Sequence, residues 1–197
     1  MIIEKLNFLW VYVTNSNPDI PYKGKWDFPK TKEEYFEHWG KWVIFGEKEY
    51  LDELACQLDP YVEDRHICNI KYLREALVWT GFDQPAMCVY CDDREKEDIW
   101  QILSGVGLTD KLWIYERETI AAWLPGGELI EKMITYYKLS PEKSERVRER
   151  IRQDSEGWLY HLYGEGDKDK DTWNLEQMIW KLAQEKMKQK GSKSGIK

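Results

Sequence analysis

One lysine stands out as a residue that could do chemistry, because the pattern around it is that of a strand. Residues 65–72 alternate in a way that sends Lys71 to one face and His66 to the other. A lysine among apolar neighbours is costly to bury, so it either reaches solvent or pairs with an anion. If it were desolvated its pKa would fall, and Lys71 could then act as a general base.

Three further cationic side chains could contact an anion held by this lysine, namely Lys41, Arg65 and Arg74. Each of them, taken alone, is typical of a solvated surface. The interpretation of Lys71 itself as a solvated or ion-paired residue stays open beside the functional one.

The chain contains 11 tryptophans, which is unusual for its length. A buried indole removes a large apolar area from water, yet its N–H still needs an acceptor. We expect most of them to be core and helix-packing residues, and a cluster that lines a ligand site is the alternative. Trp26 and Trp79 fall in predicted loops and are the natural pair to inspect for stacking on a ligand.

Familiar catalytic and metal-binding motifs are absent from the sequence. It has no nucleophile elbow, phosphate-binding loop, H-E-x-x-H or dinucleotide-binding glycine pattern, and only three histidines. Cys88 and Cys91 have the C-x-x-C spacing, but an offset of three along a predicted strand places them on opposite faces. We therefore expect reduced structural thiols, no metal and no cofactor.

Composition and charge indicate a globular protein of a reducing compartment. The chain has 197 residues, 33 % of them charged, and a formal net charge of −7. Acidic residues outnumber basic ones in residues 1–119, which argues against capture of a nucleic-acid backbone. Glu4 and Lys5 interrupt the apolar opening and no apolar run approaches the roughly 18 residues of a membrane span. We therefore expect a cytoplasmic protein without a membrane or nucleic-acid partner.

The order of predicted elements is typical of an α+β protein. It indicates a curved, mostly antiparallel sheet with helices packed on one face, followed by an all-helical extension. The predicted domains are a sheet domain over residues 1–124, a helical extension packed on it over 125–190, and a disordered tail over 191–197. The predicted strands are 9–13, 41–45, 65–72, 87–90 and 112–115, and the predicted helices are 31–39, 51–58, 94–103, 128–139, 141–163 and 171–190.

A set of short sequence stretches suggests a family. It comprises Trp39-Gly40-Lys41-Trp42-Val43-Ile44-Phe45, the predicted helix that ends with Leu54 to Leu58, Ile70-Lys71, Met87-Cys88-Val89-Tyr90 with Asp92-Asp93, Glu97-Asp98-Ile99 and Tyr115. Over about residues 8–119 this pattern resembles a family of small prokaryotic proteins named for a phosphothreonine-lyase domain. The resemblance implies β-elimination from phosphothreonine, in which a lysine removes the α-proton, a histidine assists the leaving phosphate and arginines hold it.

Only the lysine of that chemistry has a matching position, which is Lys71. Phosphothreonine lyases carry Lys-x-His, whereas this chain reads Lys71-Tyr72-Leu73. His66 would have to supply the acid from the other face of the strand. A more distant, fold-level similarity to the mRNA-cap-binding initiation factors implies a curved sheet backed by helices and a base stacked between two tryptophans.

These observations support three hypotheses, of which the first is favoured. The first is a non-catalytic binding module for a small anionic or aromatic ligand or a protein partner. The second is a phosphothreonine-lyase-like enzyme that uses Lys71 and His66 on phosphoprotein. The third is cap-like nucleotide binding between Trp26 and Trp79.

Overall fold

A computed structural model describes residues 1–4, 9–17 and 19–163, without the side chains of Glu4 and of residues 154–163. Residues 1–4 and 10–120 belong to one compact unit, and residue 9 belongs with residues 121–163 to a second. The division lies close to residue 124, where the sequence places a domain boundary. The predicted helix 171–190 and the tail 191–197 lie outside the described residues.

The first unit is built on a six-stranded sheet in which every neighbouring pair of strands is antiparallel. The order across the sheet is β1-β2-β4-β5-β3-β6, so β1 and β6 form its two edges. The predicted α+β class is confirmed. The strands are β1 (Ile2–Glu4), β2 (Trp10–Val13), β3 (Trp39–Phe45), β4 (Asn69–Leu73), β5 (Ala86–Asp92) and β6 (Trp113–Tyr115).

Six α-helices accompany the sheet in the described part of the chain. They are α1 (Lys32–His38), α2 (Lys48–Glu63), α3 (Lys96–Gly105), α4 (Glu116–Trp123), α5 (Glu128–Tyr137) and α6 (Pro141–Tyr163). Short 3-10 turns cover Val78–Thr80 and Asp93–Glu95. None of the helices in these residues combines the length and apolar character that a membrane crossing requires.

The main core lies between one face of the sheet and the helices α2 and α3. Alternation along the strands directs Val11, Ile44, Ile70, Met87 and Val89 to this face, and all five are buried. The apolar stripe of α2 packs against them because its apolar residues recur every three or four positions. That stripe consists of Leu51, Leu54, Ala55, Leu58 and Val62.

The third predicted strand starts later than the sequence pattern indicates. Helix α2 runs on to Glu63, and Arg65 then adopts the left-handed conformation with φ of 60°. This reversal lets the chain turn from the helix into β4, which starts at Asn69. His66 therefore lies in an exposed turn instead of on a strand, whereas Lys71 is a strand residue as predicted.

Two elements of the structure were not predicted from the sequence. Strand β1 and helix α4 are absent from the predicted elements, because both are short and carry a weak apolar pattern. Thr31, the first residue of the predicted helix 31–39, is a residue type suited to cap a helix, and its side chain does accept a hydrogen bond from the Glu34 N–H at 3.2 Å. The Glu34 carboxylate accepts from Lys30 N–H at 3.1 Å instead of closing a box on Thr31.

Gly40 lies in strand β3 at a position where the paired strand β6 leaves no room for a side chain. It pairs with Tyr115, and a Cβ atom built on it would lie 2.4 Å from the Trp113 ring and 2.9 Å from the Ile114 carbonyl oxygen. Real Cβ contacts are not that short. The absence of a side chain at this position therefore permits β6 to pair with β3.

Helices α5 and α6 form the described part of the second unit. Apolar residues of both helices, among them Ile130, Met133 and Ile151, are almost fully buried. Arg148 donates from Nε and one terminal nitrogen to the two carboxylate oxygens of Glu131, at 3.0 and 2.8 Å. The predicted start of α6 at Pro141 is confirmed.

The core between α2 and the sheet leads to a stability prediction. Leu58 is fully buried, so Leu58→Ala should lower the free energy of unfolding by about 2–5 kcal/mol through lost burial and a residual cavity. Cys56 is exposed on the same helix, and Cys56→Ala should change it by less than about 0.5 kcal/mol. Urea denaturation followed by circular dichroism measures both, and equal losses would contradict the packing described.

Candidate functional site

The second face of the sheet carries a set of polar and aromatic side chains. Register pairs Lys41 with Tyr90 across β3 and β5, and pairs Lys71 with Cys88 across β4 and β5. Tyr12 lies opposite Lys71 on β2. Since directly paired residues project to the same side of a sheet, all five side chains share the face that α2 and α3 leave free.

Lys41 is the centre of a buried network, here called the Lys41 cluster, that also includes Glu116, Thr119 and Tyr35. The side chains of Lys41 and Glu116 are only 7 % and 11 % exposed, and they form a direct ion pair. Lys41 Nζ also donates to Thr119 Oγ1 at 2.7 Å, and Tyr35 Oη donates to the second Glu116 oxygen at 3.1 Å. The charge of Lys41 is thus neutralised inside the protein.

Two buried groups of β5 lie between the lysines. Burial, followed by the nearby Glu116 carboxylate, raises the pKa of Tyr90 well above its ordinary value. Burial also raises the pKa of Cys88, although the positive charges of Lys41 and Lys71 oppose this effect. The Cys88 thiol and the Tyr90 hydroxyl are consequently neutral near pH 7, and these two uncharged side chains lie between the two lysines.

Lys71 differs from Lys41 in its electrostatic environment. Its Nζ lies 4.5 Å from the centroid of the Trp10 ring and 5.5 Å from that of Tyr90. Lys41 Nζ is also 5.5 Å from the Tyr90 centroid, so the two ammonium groups are at most twice that distance apart. Among the described residues no carboxylate pairs with Lys71. Aromatic faces stabilise a cation but do not cancel its charge.

The surroundings of Lys71 form a half-open patch, named here the Lys71 face and consisting of Trp10, Tyr12, Asn69 and Lys71. These four side chains are partly exposed, and they occupy alternate positions of the neighbouring strands β2 and β4. The Oδ1 atom of Asn69 is buried and accepts no hydrogen bond from any described residue. Among the described residues, the Lys71 ammonium group thus has no carboxylate partner, and the Asn69 side-chain oxygen has no hydrogen-bond donor.

The structure brings Lys41 and Lys71 together, but not the other residues predicted to handle an anion. His66 lies in the exposed turn before β4. Arg65 forms an ion pair with Asp27, in which Nη2 of Arg65 lies 3.7 Å from Oδ2 of Asp27. The Cζ atom of Arg65 lies 5.8 Å from the centroid of the Tyr22 ring. Arg74 follows the far end of β4. The predicted combination of Lys71 with His66 is therefore not present as one cluster.

The two tryptophans predicted to form a stacking pair lie beyond opposite ends of β5. Trp26 is 38 % exposed and has the Arg94 guanidinium 3.4 Å from its ring centroid, just after β5 ends. Trp79 is buried in the connection that precedes β5. The structure does not bring these two rings together, since a strand of seven residues is about 20 Å long.

Trp26 is held by a loop that folds over a buried carboxylate. Glu95 accepts hydrogen bonds from Tyr22 Oη at 2.5 Å and from the Lys25 N–H at 3.1 Å. Burial raises the pKa of Glu95 above its ordinary value, and these hydrogen bonds partly offset the effect. Gly24 is required in this loop because a Cβ there would lie 2.3 Å from the Tyr22 ring.

One group of residues in the described chain has metal-ligating atoms close together, namely His38, Asp92 and Asp93. Its oxygen atoms already have partners. Asp92 accepts two hydrogen bonds from the Arg94 guanidinium, at 2.8 and 2.6 Å. Asp93 contacts His38 Nδ1 at 3.0 Å and accepts from Tyr115 Oη at 2.8 Å. These side chains form a hydrogen-bonded network at the end of β5.

Several residues of the two clusters were missed by sequence reasoning. Alternation within the strands places Trp10 with Tyr12 and Asn69 with Lys71, but it does not show that β2 and β4 are neighbours. Glu116 and Thr119 belong to the unpredicted helix α4, so their contact with Lys41 had no sequence signal.

Comparison with known proteins gives no relatives for this chain: no family model matches it, and no curated protein or solved structure matches it. Neither of the two family resemblances gains support in this way. The function is therefore proposed from the geometry of the site.

The Lys41 cluster predicts a large cost for removing one charge of a buried pair. Lys41→Met leaves the Glu116 carboxylate buried without its cation, and should lower the free energy of unfolding by about 3 kcal/mol or more. Lys132→Met removes the same side chain from the exposed pair with Glu128 and should leave the free energy of unfolding nearly unchanged, because water screens that pair. The double variant Lys41→Met with Glu116→Leu should recover part of the loss in urea denaturation, and equal effects of the two single variants would contradict the buried pair.

The four cysteines predict a simple pattern of thiol reactivity. Burial raises the pKa of Cys68 to about 12, and it also raises those of Cys88 and Cys91. At pH 8 these three remain thiols and should react slowly with Ellman's reagent, since the thiolate is the nucleophile. Only the exposed Cys56 should react rapidly in the native protein, and Cys56→Ser should abolish that phase. A second rapid thiol would contradict the burial described for Cys68, Cys88 and Cys91.

Proposed function

We propose that the first unit is a binding module for a small anionic ligand, which Lys71 holds on the Lys71 face. The observation that carries this proposal is the Lys71 ammonium group, placed between two aromatic rings without a carboxylate partner among the described residues. An anion in this position would supply the missing countercharge. Trp10 and Tyr12 would provide apolar and aromatic surface to the rest of the ligand.

A comparison with two other lysines of the unit supports the proposal. Lys41 is buried but paired with Glu116. Lys111 lies over two tryptophan rings, 5.1 Å from the centroid of Trp100 and 5.9 Å from that of Trp42. It nevertheless pairs with Glu97 at 2.8 Å. An aromatic neighbourhood in this protein is thus compatible with an ion pair, so the missing partner of Lys71 is a property of its site.

Binding is favoured over elimination because the Lys71 face contains no acid suited to assist a leaving phosphate. Of the histidines whose side chains are described, His38 contacts Asp93 and His66 lies in an exposed turn. A phosphothreonine-lyase-like activity is therefore the second proposal, to be tested alongside the first.

The proposal places the protein in the cytoplasm, and its support is the set of four cysteines that form no disulfide. Nucleic acid is not the ligand we propose, since acidic residues dominate the first unit. Stacking of a nucleotide base between Trp26 and Trp79 is not favoured by a geometry in which the two rings lie beyond opposite ends of β5.

Lys71→Met tests the proposal directly. In isothermal titration calorimetry with inorganic phosphate and with small phosphate monoesters, the wild-type protein should bind saturably. Lys71→Met should weaken that binding at least tenfold, because a charge-assisted hydrogen bond contributes about 1.5–3 kcal/mol. Lys111→Met is the matched control, since it removes a lysine with similar aromatic neighbours but with its own carboxylate, and it should leave the affinity unchanged.

Two outcomes would contradict the proposal. One is the absence of saturable binding by the wild-type protein to any of these anions at millimolar concentration. The other is an equal loss of affinity in Lys71→Met and Lys111→Met. Incubation with a phosphothreonine peptide in the same buffers addresses the enzymatic alternative: release of phosphate that Lys71→Met abolishes would establish a lyase.

A further inference from the structure

We infer that Cys68 and Cys91 are a reversible redox pair, which a peroxide converts into a disulfide between strands β4 and β5. The inference is independent of the proposed anion site. It rests on where the fold brings the two thiols, since Cys68 directly precedes β4 and Cys91 lies in β5. The C-x-x-C spacing suggests Cys88 as the partner of Cys91, whereas the sheet places Cys68 beside it.

The register of the sheet sets the two cysteines opposite each other. Asn69 pairs with Tyr90 in the antiparallel ladder of β4 and β5, so one further residue along each strand brings Cys68 to Cys91. Opposite residues of such a ladder have Cα atoms about 4.5–5.5 Å apart, depending on the type of pair. That separation is inside the roughly 4.4–6.8 Å that a disulfide spans. Cys88 projects from the other side of β5 and has no such position.

The electrostatic surroundings of the two thiols agree with this placement. Burial, followed by nearby carboxylates, raises the pKa of both, and Glu95 is one of those carboxylates in each case. Cys68 is itself among the groups that raise the pKa of Cys91. Tyr22, which donates to Glu95 at 2.5 Å, is influenced by both thiols. Cys68 and Cys91 therefore lie together at one end of the sheet, next to the loop that carries Tyr22.

The difference in exposure assigns the two thiols different steps. Cys68 is partly exposed, so its sulfur meets the peroxide, whereas Cys91 is fully buried beside it. The Cys68 thiolate attacks one oxygen of hydrogen peroxide, the O–O bond breaks, and a sulfenic acid and one water result. The Cys91 sulfur then attacks the sulfenic sulfur, the S–S bond forms, and a second water leaves. Two thiols thus lose two electrons and two protons, and hydrogen peroxide is reduced to two waters.

The raised pKa of both thiols makes this reaction slow at neutral pH, because the thiolate is the reacting form. The pair therefore stays reduced in a reducing compartment and closes only under sustained exposure to peroxide. The disulfide would close a loop that contains β4 and the connection to β5. Since such a cross-link restricts the unfolded chain, it would stabilise the pairing of these two strands.

Peptide mapping of the full chain tests the inference. Wild-type protein is incubated for hours with millimolar hydrogen peroxide at pH 8, alkylated in denaturant and digested with trypsin without a reductant. We expect peptide 66–71 linked to peptide 75–94, about 2 Da lighter than the sum of the two thiol forms. Peptide 75–94 also contains Cys88, so fragmentation should find the alkyl group on Cys88 and the link on Cys91. Dithiothreitol should abolish the linked product.

Two serine variants provide the comparison. Cys68→Ser should give no internal disulfide after the same treatment, and Cys56→Ser should form it as the wild type does, because Cys56 is an exposed thiol of helix α2. The oxidised wild-type protein should also have a higher midpoint of urea denaturation than the reduced protein.

Three results would overturn the inference. The first is a wild-type protein in which Cys56 is fully oxidised and no peptide is linked through Cys68. The second is a disulfide between Cys88 and Cys91. The third is an unchanged or lower urea midpoint after the disulfide has formed. The mapping needs only the wild-type chain, so it decides the question even if Cys68→Ser does not fold.

Discussion

The pairing of β5 with its two neighbours is the constraint on which the rest of the first unit depends. Seven consecutive residues of β3 pair with β5, and four pairs join β4 to β5. Because side chains alternate strictly along a strand, a slip of one residue would exchange the two faces of the sheet. The same register therefore buries the apolar set against α2 and α3 and collects Lys41, Lys71 and Tyr90 on the other side.

The two lysines show how one sheet face can hold a compensated charge beside a charge for which we propose a function. Lys41 is compensated by Glu116 and hydrogen-bonded to Thr119, so its role is accounted for inside the fold. Among the described residues, Lys71 has the rings of Trp10 and Tyr90 beside its charge and no carboxylate partner. A cation of this kind costs little while the face stays partly open to water, and in the proposed complex it would make a strong contact with the anion once the ligand excludes water.

Elements with local signals could be predicted from the sequence, whereas the site depends on long-range pairing. Ser140-Pro141 and Thr31 mark helix starts through capping chemistry, and both helices begin where those residues indicate. The start of β4 was mispredicted because the turn at Arg65 serves the passage from α2 to the sheet. Lys71 was identified from its own strand, but Trp10 joins it only because β2 and β4 are neighbours, which no local pattern encodes.

Gly40 illustrates how a residue without a side chain can protect the molecule from self-association. Strand β6 has only three residues, yet it covers the backbone groups of β3 from Gly40 to Trp42, and the Leu112 carbonyl extends the cover to Val43. A larger residue at position 40 would push this short strand away. The N–H and C=O groups of β3 would then be exposed, and a strand of another molecule could pair with them. Gly40, by allowing β6 to pair with β3, therefore lowers the tendency of the sheet to aggregate.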